Sequence, residues 1–192
     1  MIYLNNYGWN DKLSQLKQES TYNALTHGRI SIVHRTCYEV VSENGLFQCE
    51  LTGNMMYGKS DIELPCTGDW VLFQPFDEHK GIIVDMLPRE RTLYRKKNGT
   101  VADKQAIASY VDKAFIVQSL DDNFNVRRAE RFMVQMQEEN INPVLVFNKA
   151  DLGFDEQKVE EQIRHIARQI PVFFTSIHQP QTILQLRESI SA

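Results

Sequence analysis

Asn148-Lys149-Ala150-Asp151 is the stretch of this chain with the most specific chemical reading. It closes the apolar run Pro143-Val144-Leu145-Val146-Phe147, which has the length and composition of a buried parallel strand. An Asn-Lys-x-Asp at such a strand end can read a guanine base. The Asp151 carboxylate would accept from guanine N1–H and the exocyclic amine. The Asn148 amide would donate to N7, and the Lys149 stem would lie along the base's face. Adenine lacks the matching pair of donors, so polar partners in the site would go unpaired with it. The bland alternative is that Asp151 caps the next helix and Asn148 closes a turn. No Gly-x-x-x-x-Gly-Lys-Ser/Thr phosphate loop occurs among the 192 residues.

Thr175-Ser176-Ile177 follows the next apolar run, Val172-Phe173-Phe174. A guanine site needs a second loop whose backbone N–H meets the base O6 while a hydroxyl braces the recognition carboxylate. Ser176 can brace Asp151, and the Ile177 amide can reach O6. Alone, Thr-Ser after a strand reads as a helix N-cap; the ordered pair of loops points to the base. The five histidines are scattered and form no Ser/His/Asp or Cys/His arrangement. Asp121-Asp122 lacks suitably spaced further oxygen ligands and reads as a loop cap, so no metal site and no catalytic residue is assigned.

The elements that must position these loops are β-α-β-α-β-α. A strand is expected at 114–117 and a helix at 126–139 with Ala129, Phe132, Met133 and Met136 inward. A strand at 144–147, a helix at 156–168 facing inward through Val159, Ile163 and Ile166, a strand at 172–174 and a helix at 182–189 follow. This order predicts a parallel sheet covered by helices, with ligands beyond the carboxyl ends of its strands.

The chain changes character near residue 90. Upstream, short strands are expected at 29–34, 38–41, 46–51, 69–74 and 81–86, with Asn44-Gly45 as a type I′ hairpin signal. Five strands with a longer irregular connection at 52–67 fit a small closed barrel of the OB type, an SH3-like barrel being the alternative. Trp9, Leu13 and Leu16 repeat at helical spacing behind Asn10 or Asp11 as N-cap. The organisation expected is a helical extension over 1–27, an OB-type barrel over 28–88, a basic linker over 89–110 and a partial α/β domain over 111–192. The linker opens with Arg89, Arg91, Arg95, Lys96 and Lys97 against Glu90 alone, a strip suited to RNA phosphates, to which Arg29 is added. A solvated linker is the competing reading.

A net charge of −4 argues against an indiscriminate polyanion binder, so local patches must carry any RNA contact. The hydrophobic fraction of 42% is that of an ordinary globular protein, and no stretch approaches the ~18 apolar residues of a membrane span. Three cysteines, Cys37, Cys49 and Cys66, make no Cys-x-x-Cys pair and read as reduced thiols of a cytoplasmic protein.

Several stretches together resemble the circularly permuted, ribosome-small-subunit-dependent GTPases. They are Gly68-Asp69-Trp70-Val71, Arg89-x-Arg91-Thr92-Leu93, Ala106-Ile107-Ala108 with Val111-Asp112, and Gln118-Ser119-Leu120 with Asp122-x-Phe124-Asn125. Arg127-Arg128, Glu130-Arg131 and Asn148-Lys149-Ala150-Asp151-Leu152 complete the set, and Gly8-Trp9-Asn10 resembles the opening of one branch. The resemblance implies an OB barrel ahead of a GTPase domain whose base-reading motif precedes its phosphate loop. It implies a parent that hydrolyses GTP with Mg²⁺, binds the small ribosomal subunit and its rRNA, and acts in late maturation of that subunit. One departure is Gln179-Pro180-Gln181-Thr182, where the family carries a Thr-Gly-Glu-Gly-like stretch. The phosphate loop, both switches and a C-terminal Cys/His zinc module would come after Ala192, so the chain is expected to be part of a longer protein. Alone it is expected not to bind nucleotide tightly or turn over GTP, and to self-associate through an open sheet edge. A stand-alone RNA-binding OB module with a structural α/β half is the alternative.

Overall fold

Short alternating strands upstream and longer apolar runs downstream fold into two units, Met1–Val111 and Asp112–Ala192. A computed structural model describes residues 2–96, 104–153, 155–168 and 170–191.

In the first unit, β1 (Thr26–Val33), β2 (Tyr38–Ser42), β3 (Gly45–Leu51), β4 (Trp70–Asp77) and β5 (Lys80–Met86) close in the order β1-β2-β3-β5-β4. β1 pairs with both β2 and β4, and β3 runs parallel to β5. This is the OB-type barrel. Alternate residues fill its interior: Ile30, Val40, Phe47, Cys49, Val71, Phe73 and Ile83 are all buried. Fully burying side chains of this size is worth about 1.5–3 kcal/mol each. The β2–β3 turn differs in detail from the expected type I′ form. Ser42 pairs with Gly45, so Glu43 and Asn44 make the turn, and of these residues Gly45 alone has a positive φ, +125°. A type I′ turn needs positive φ at both central positions; here glycine takes up the twist after the turn instead.

A 3₁₀ turn at Leu4–Tyr7 leads into α1 (Asp11–Glu19). Asn10 is its N-cap: Oδ1 accepts from the Leu13 amide at 3.1 Å. Leu4 and Leu13 pack on Trp70, Leu72 and Leu87, making a second apolar layer outside the barrel. Within 52–67, expected to be irregular, lies the short α2 (Gly53–Tyr57), which buries Met55 in the barrel core. Five residues are too few to show a helical period. Cys49 and Cys66 are buried free thiols, their pKa pushed up to about 12 by burial, which leaves them poor nucleophiles.

The basic segment is more than a connector. β6 (Leu93–Lys96) pairs antiparallel with β7 (Lys104–Ala108), and Thr67 bridges to Ala108. Gly68 allows that approach. Its φ is +94°, and a Cβ there would lie 2.3 Å from the Ser109 carbonyl oxygen. The density of charge in this segment masked its strand alternation. Arg95 sits across from Gln105, and its Nη2 donates to Oε1 at 2.9 Å.

In the second unit, β8 (Lys113–Ser119), β9 (Asn142–Asn148) and β10 (Val172–Thr175) form a parallel sheet in the order β10-β9-β8. α3 (Val126–Glu138) follows β8, α4 (Glu156–Ala167) follows β9 and α5 (Pro180–Ser191) follows β10. β9 is central, and five consecutive residues of it are buried, which explains its unbroken apolar run. Ile116, Leu145 and Phe147 pack with Ala129, Met133, Val159 and Ile163. Phe132, expected inward, is instead 46% exposed: the buried face of α3 centres on Ala129, Met133 and Met136, and Phe132 lies about 100° round from Met133. The side chain of Ile166 lies outside the described residues. Among the described residues no helix is long and apolar enough to cross a membrane.

Candidate functional site

Parallel pairing brings the three strand ends to one level. Ser119 of β8 is opposite Asn148 of β9, which is opposite Thr175 of β10. Every candidate base-reading residue lies at or just beyond this line, the expected ligand edge of such a sheet.

Beyond the line the β9 and β10 loops are tied together. The Ala150 amide donates to the Thr175 carbonyl at 3.0 Å, carrying the ladder one residue past the strand. Lys149 adopts φ +62°, a left-handed conformation that a non-glycine residue holds only when its surroundings compel it. The Leu152 amide donates back to the Lys149 carbonyl, at 3.1 Å, and closes the turn.

Within that frame the polar side chains orient one another. Buried Ser176 donates through Oγ to Asp151 Oδ1, while its own Oγ accepts from the His178 amide at 3.0 Å. The Ser176 amide donates to Thr182 Oγ1 at 3.0 Å, which fixes the Ser176 backbone. Thr175 Oγ1 lies 3.4 Å from Asn148 Oδ1 and donates to it, leaving Asn148 Nδ2 as that side chain's donor. Asp151 is exposed, and the bond from Ser176 holds its carboxyl below the usual carboxylate range. The Ile177 side chain is 78% exposed, so only its backbone is placed for a polar role. Thr182 lies in the stretch that departs from the family pattern, and its hydroxyl also donates to the Gln179 carbonyl at 2.7 Å. It thereby supplies an order to this loop that its sequence did not advertise.

Asp121 was missed as a site residue. Lys149 Nζ lies 2.8 Å from Asp121 Oδ2, in the loop after β8. The Lys149 bond, then the Asn123 amide and the Ser119 hydroxyl, hold the Asp121 carboxyl well below its ordinary range. The signal available was a carboxylate two residues past the neighbouring strand, where a parallel sheet must place it beside the motif lysine.

The depressed Asp151 pKa has a testable sign. The folded state binds its proton less readily than the unfolded state does. The stability it contributes is therefore present above the unfolded value of about 3.9 and lost as pH falls through the folded value. The carboxylate form needed to accept from a base persists equally low. Guanosine binding is expected to stay flat from neutral pH down to about pH 4, and Ser176→Ala to move its loss to higher pH. Chemical-shift titration across that range checks both.

The residues singled out for RNA do not share one fate. Arg89 is turned inward: Nε lies 2.9 Å from Asp69 Oδ1, Nη2 lies 2.6 Å from Oδ2, and the remaining donors reach the Ile62 and Leu64 carbonyls. Asp69 is fully buried there and also accepts from the Cys66 amide at 2.7 Å. Arg29 donates to the Gly68 and Tyr7 carbonyls, with its guanidinium 5.8 Å from the Trp70 ring centroid. Arg91 Nη1 pairs with Glu90 at 3.2 Å. Arg95 stands on the exposed β6–β7 ribbon, where Lys104 Nζ lies 5.7 Å from the Tyr94 ring centroid. Lys96 belongs to β6, but its side chain, like all of Lys97, lies outside the described residues.

Barrel and sheet define the class: an OB-type barrel followed by an α/β unit of the GTPase kind, with an Asn-Lys-x-Asp loop at its ligand edge. The RsgA GTPase family model matches residues 86–192, more than half of the chain. The chain belongs to the RsgA GTPase family. It is 72% identical over 185 residues to the small ribosomal subunit biogenesis GTPase RsgA 1 of Bacteroides thetaiotaomicron, covering 96% of this chain and 52% of that relative. The fold is similar to the crystal structure of YjeQ from Thermotoga maritima, with a TM-score of 0.63 and 23% identity over 85% of this chain and 56% of that one. It is also similar to YloQ, a circularly permuted GTPase, with a TM-score of 0.57 and 21% identity over 87% and 57% respectively. The chain spans about half the length of the curated relatives it matches.

Proposed function

We propose that this chain supplies the guanine-reading and ribosome-docking parts of a cytoplasmic, GTP-hydrolysing factor that acts in late maturation of the small ribosomal subunit. The observation that carries the reading is the Ser176 hydroxyl donating to Asp151 beside an Asn148 oriented by Thr175. In this reading the Asp151 carboxylate accepts from guanine N1–H and the 2-amino group. Asn148 Nδ2 donates to N7, and the Ile177 amide donates to O6. The Lys149 stem flanks the base with its ammonium anchored on Asp121. The name borne by the Bacteroides thetaiotaomicron relative, and its 72% identity, support the ribosomal assignment.

GTP with Mg²⁺ is the substrate expected of the whole protein. Among the described residues no group of three or more His, Cys, Asp or Glu is placed to hold a metal, and the 192 residues include no phosphate-loop motif. Phosphate cradle and metal supply most of the chemistry of phosphoryl transfer. These residues by themselves are therefore expected to bind guanine nucleotides weakly and not to hydrolyse GTP. For the rRNA the β6–β7 ribbon is the better candidate, with exposed Arg95 paired to Gln105 and Lys104 over the Tyr94 ring. Arg29 and Arg89 are engaged within the protein. β8 ends the sheet, with Val117 60% exposed, and pairing of two copies along it is expected at high concentration. A strictly monomeric light-scattering profile would remove that expectation.

Two measurements test the reading. GDP should outcompete ADP at the β9–β10 loops, and equal competition would leave an RNA-binding barrel with a structural α/β half. Arg95→Glu should weaken sedimentation with small subunits and flatten its salt dependence, leaving the preference for guanine untouched.

A further inference from the structure

The barrel unit holds a second concavity that neither the base-reading loops nor the basic ribbon uses. It is a cleft of about 380 Å³ lined by Trp9, Ser14, Lys17, Gln18, Asn23 and His27, between α1 and the start of β1. Small-molecule sites run from about 300 to 1,000 Å³, so it can hold one modest ligand.

Its polar groups are unusually arranged. Lys17 Nζ lies 3.1 Å from His27 Nδ1. An ammonium only donates, so Nδ1 must accept, and the imidazole is neutral with its proton on Nε2. That Nε2 is buried and has no hydrogen-bond partner among the described residues. Burial and the Lys17 charge push the His27 pKa down, and burial pushes that of Lys17 down; Glu43 opposes both through its charge. The cleft thus contains a half-buried cation whose hydrogen-bonded partner is a neutral ring, beside a buried donor in want of an acceptor.

The remaining lining is aromatic and amide. Trp9 is held in place, its ring 4.1 Å from that of His27 and 4.8 Å from that of Trp70. Asn23 Nδ2 donates to the Gln18 carbonyl at 3.3 Å, which leaves Oδ1 as an acceptor, and the Gln18 amide adds both polarities. A small inorganic anion would use Lys17 but not the ring or the amides. An apolar ligand would leave the cation unanswered.

We infer that this cleft binds a single nucleotide of unpaired RNA, its phosphate on Lys17, its base against Trp9 and its base edge on Asn23 and Gln18. An aromatic wall, a lysine and edge-reading amides are the parts from which single-stranded RNA sites are built. A free nucleoside monophosphate offers the same groups. The choice of RNA as their source rests on the ribosomal reading above; the chemistry of the cleft does not.

The test is a ¹H–¹⁵N titration of the chain, following the Trp9 indole and His27 ring signals. Adenosine and uridine monophosphates, a single-stranded hexaribonucleotide, inorganic phosphate and a glutamate-rich peptide are the probes. Both nucleotide probes should shift these signals, the hexamer at least tenfold more tightly, and phosphate should do so at least tenfold more weakly than either. Lys17→Gln should weaken both nucleotide probes about tenfold, and Asn23→Ala should change the preference between adenine and uracil with phosphate binding unaltered. Silence of both signals with every probe would overturn the inference, as would equal response to phosphate or the acidic peptide. So would insensitivity to Lys17→Gln. Monophosphates binding as tightly as the hexamer would overturn the RNA source. Signals of the Asp151 loop report guanine separately, so failure here is distinguishable from failure of the guanine reading.

Discussion

Asp151→Asn is expected to exchange guanine selectivity for xanthine selectivity. In the proposed reading the carboxylate accepts two hydrogen bonds from the guanine edge, and bonds to a charged group contribute about 1.5–3 kcal/mol each. The asparagine amide can accept one of them but sets its own N–H donors against the other. Xanthine carries a carbonyl where guanine carries the 2-amino group, so the same amide donor then has a partner. A loss of about hundredfold in GDP affinity, with a gain for xanthosine diphosphate, follows from exchanging one such bond for a donor–donor clash. The loop should survive the change, because the asparagine Oδ1 can still accept from Ser176 Oγ as Asp151 does. Competition titrations with guanine, xanthine and adenine nucleotides on both proteins decide it. An unchanged guanine preference in the variant would remove Asp151 from base recognition and leave Asn148 without its partner in the reading.

Arg89→Ala is expected to destabilise the barrel unit by about 3–5 kcal/mol, the cost of stripping a buried charge of its partner. Asp69 is fully buried and takes three hydrogen bonds from the guanidinium, two from Nε and one from Nη2. Arg89 also ties down the carbonyls of Ile62 and Leu64, which lie in the long connection after α2. Urea unfolding followed by tryptophan emission reports on this unit specifically, since both tryptophans, Trp9 and Trp70, belong to it. Replacing the pair together, Arg89→Met with Asp69→Leu, should recover part of the loss, because no uncompensated charge remains although the Cys66 amide and the Ile62 and Leu64 carbonyls lose these partners. An Arg89→Ala protein with an unchanged midpoint and weakened subunit binding would reverse the assignment and return Arg89 to the RNA surface.

The contrasting places of Arg89 and Arg95 separate what the linear sequence can and cannot resolve. Arg89 and Arg95 sit in one basic strip and look alike along the chain. One is folded onto Asp69, twenty residues upstream, and the other stands on an exposed ribbon. The charge of the strip is visible in composition, but the pairing depends on β4 and the exit from β5 meeting in space. Likewise Lys149 can be recognised as part of a motif, whereas the pairing of Asp121 with it follows from β8 and β9 lying side by side.

By itself the sequence determined the local elements and the chemistry they carry. Short strand-like runs and an Asn-Gly turn signal marked the barrel strands, an unbroken apolar run marked β9, and residue type and order marked Asn148, Asp151 and Ser176, because steric and hydrophobic patterning act between near neighbours in the chain. The bracing of Asp151 by Ser176 was legible from the order of the two loops, whereas the tertiary structure alone decided that Asp121 meets Lys149, that Arg89 meets Asp69, and that Trp9, Lys17 and His27 gather around one cleft. The physical reason is that hydrogen bonds and ion pairs act over a few ångströms. Strand order and register, not sequence separation, set which residues come that close.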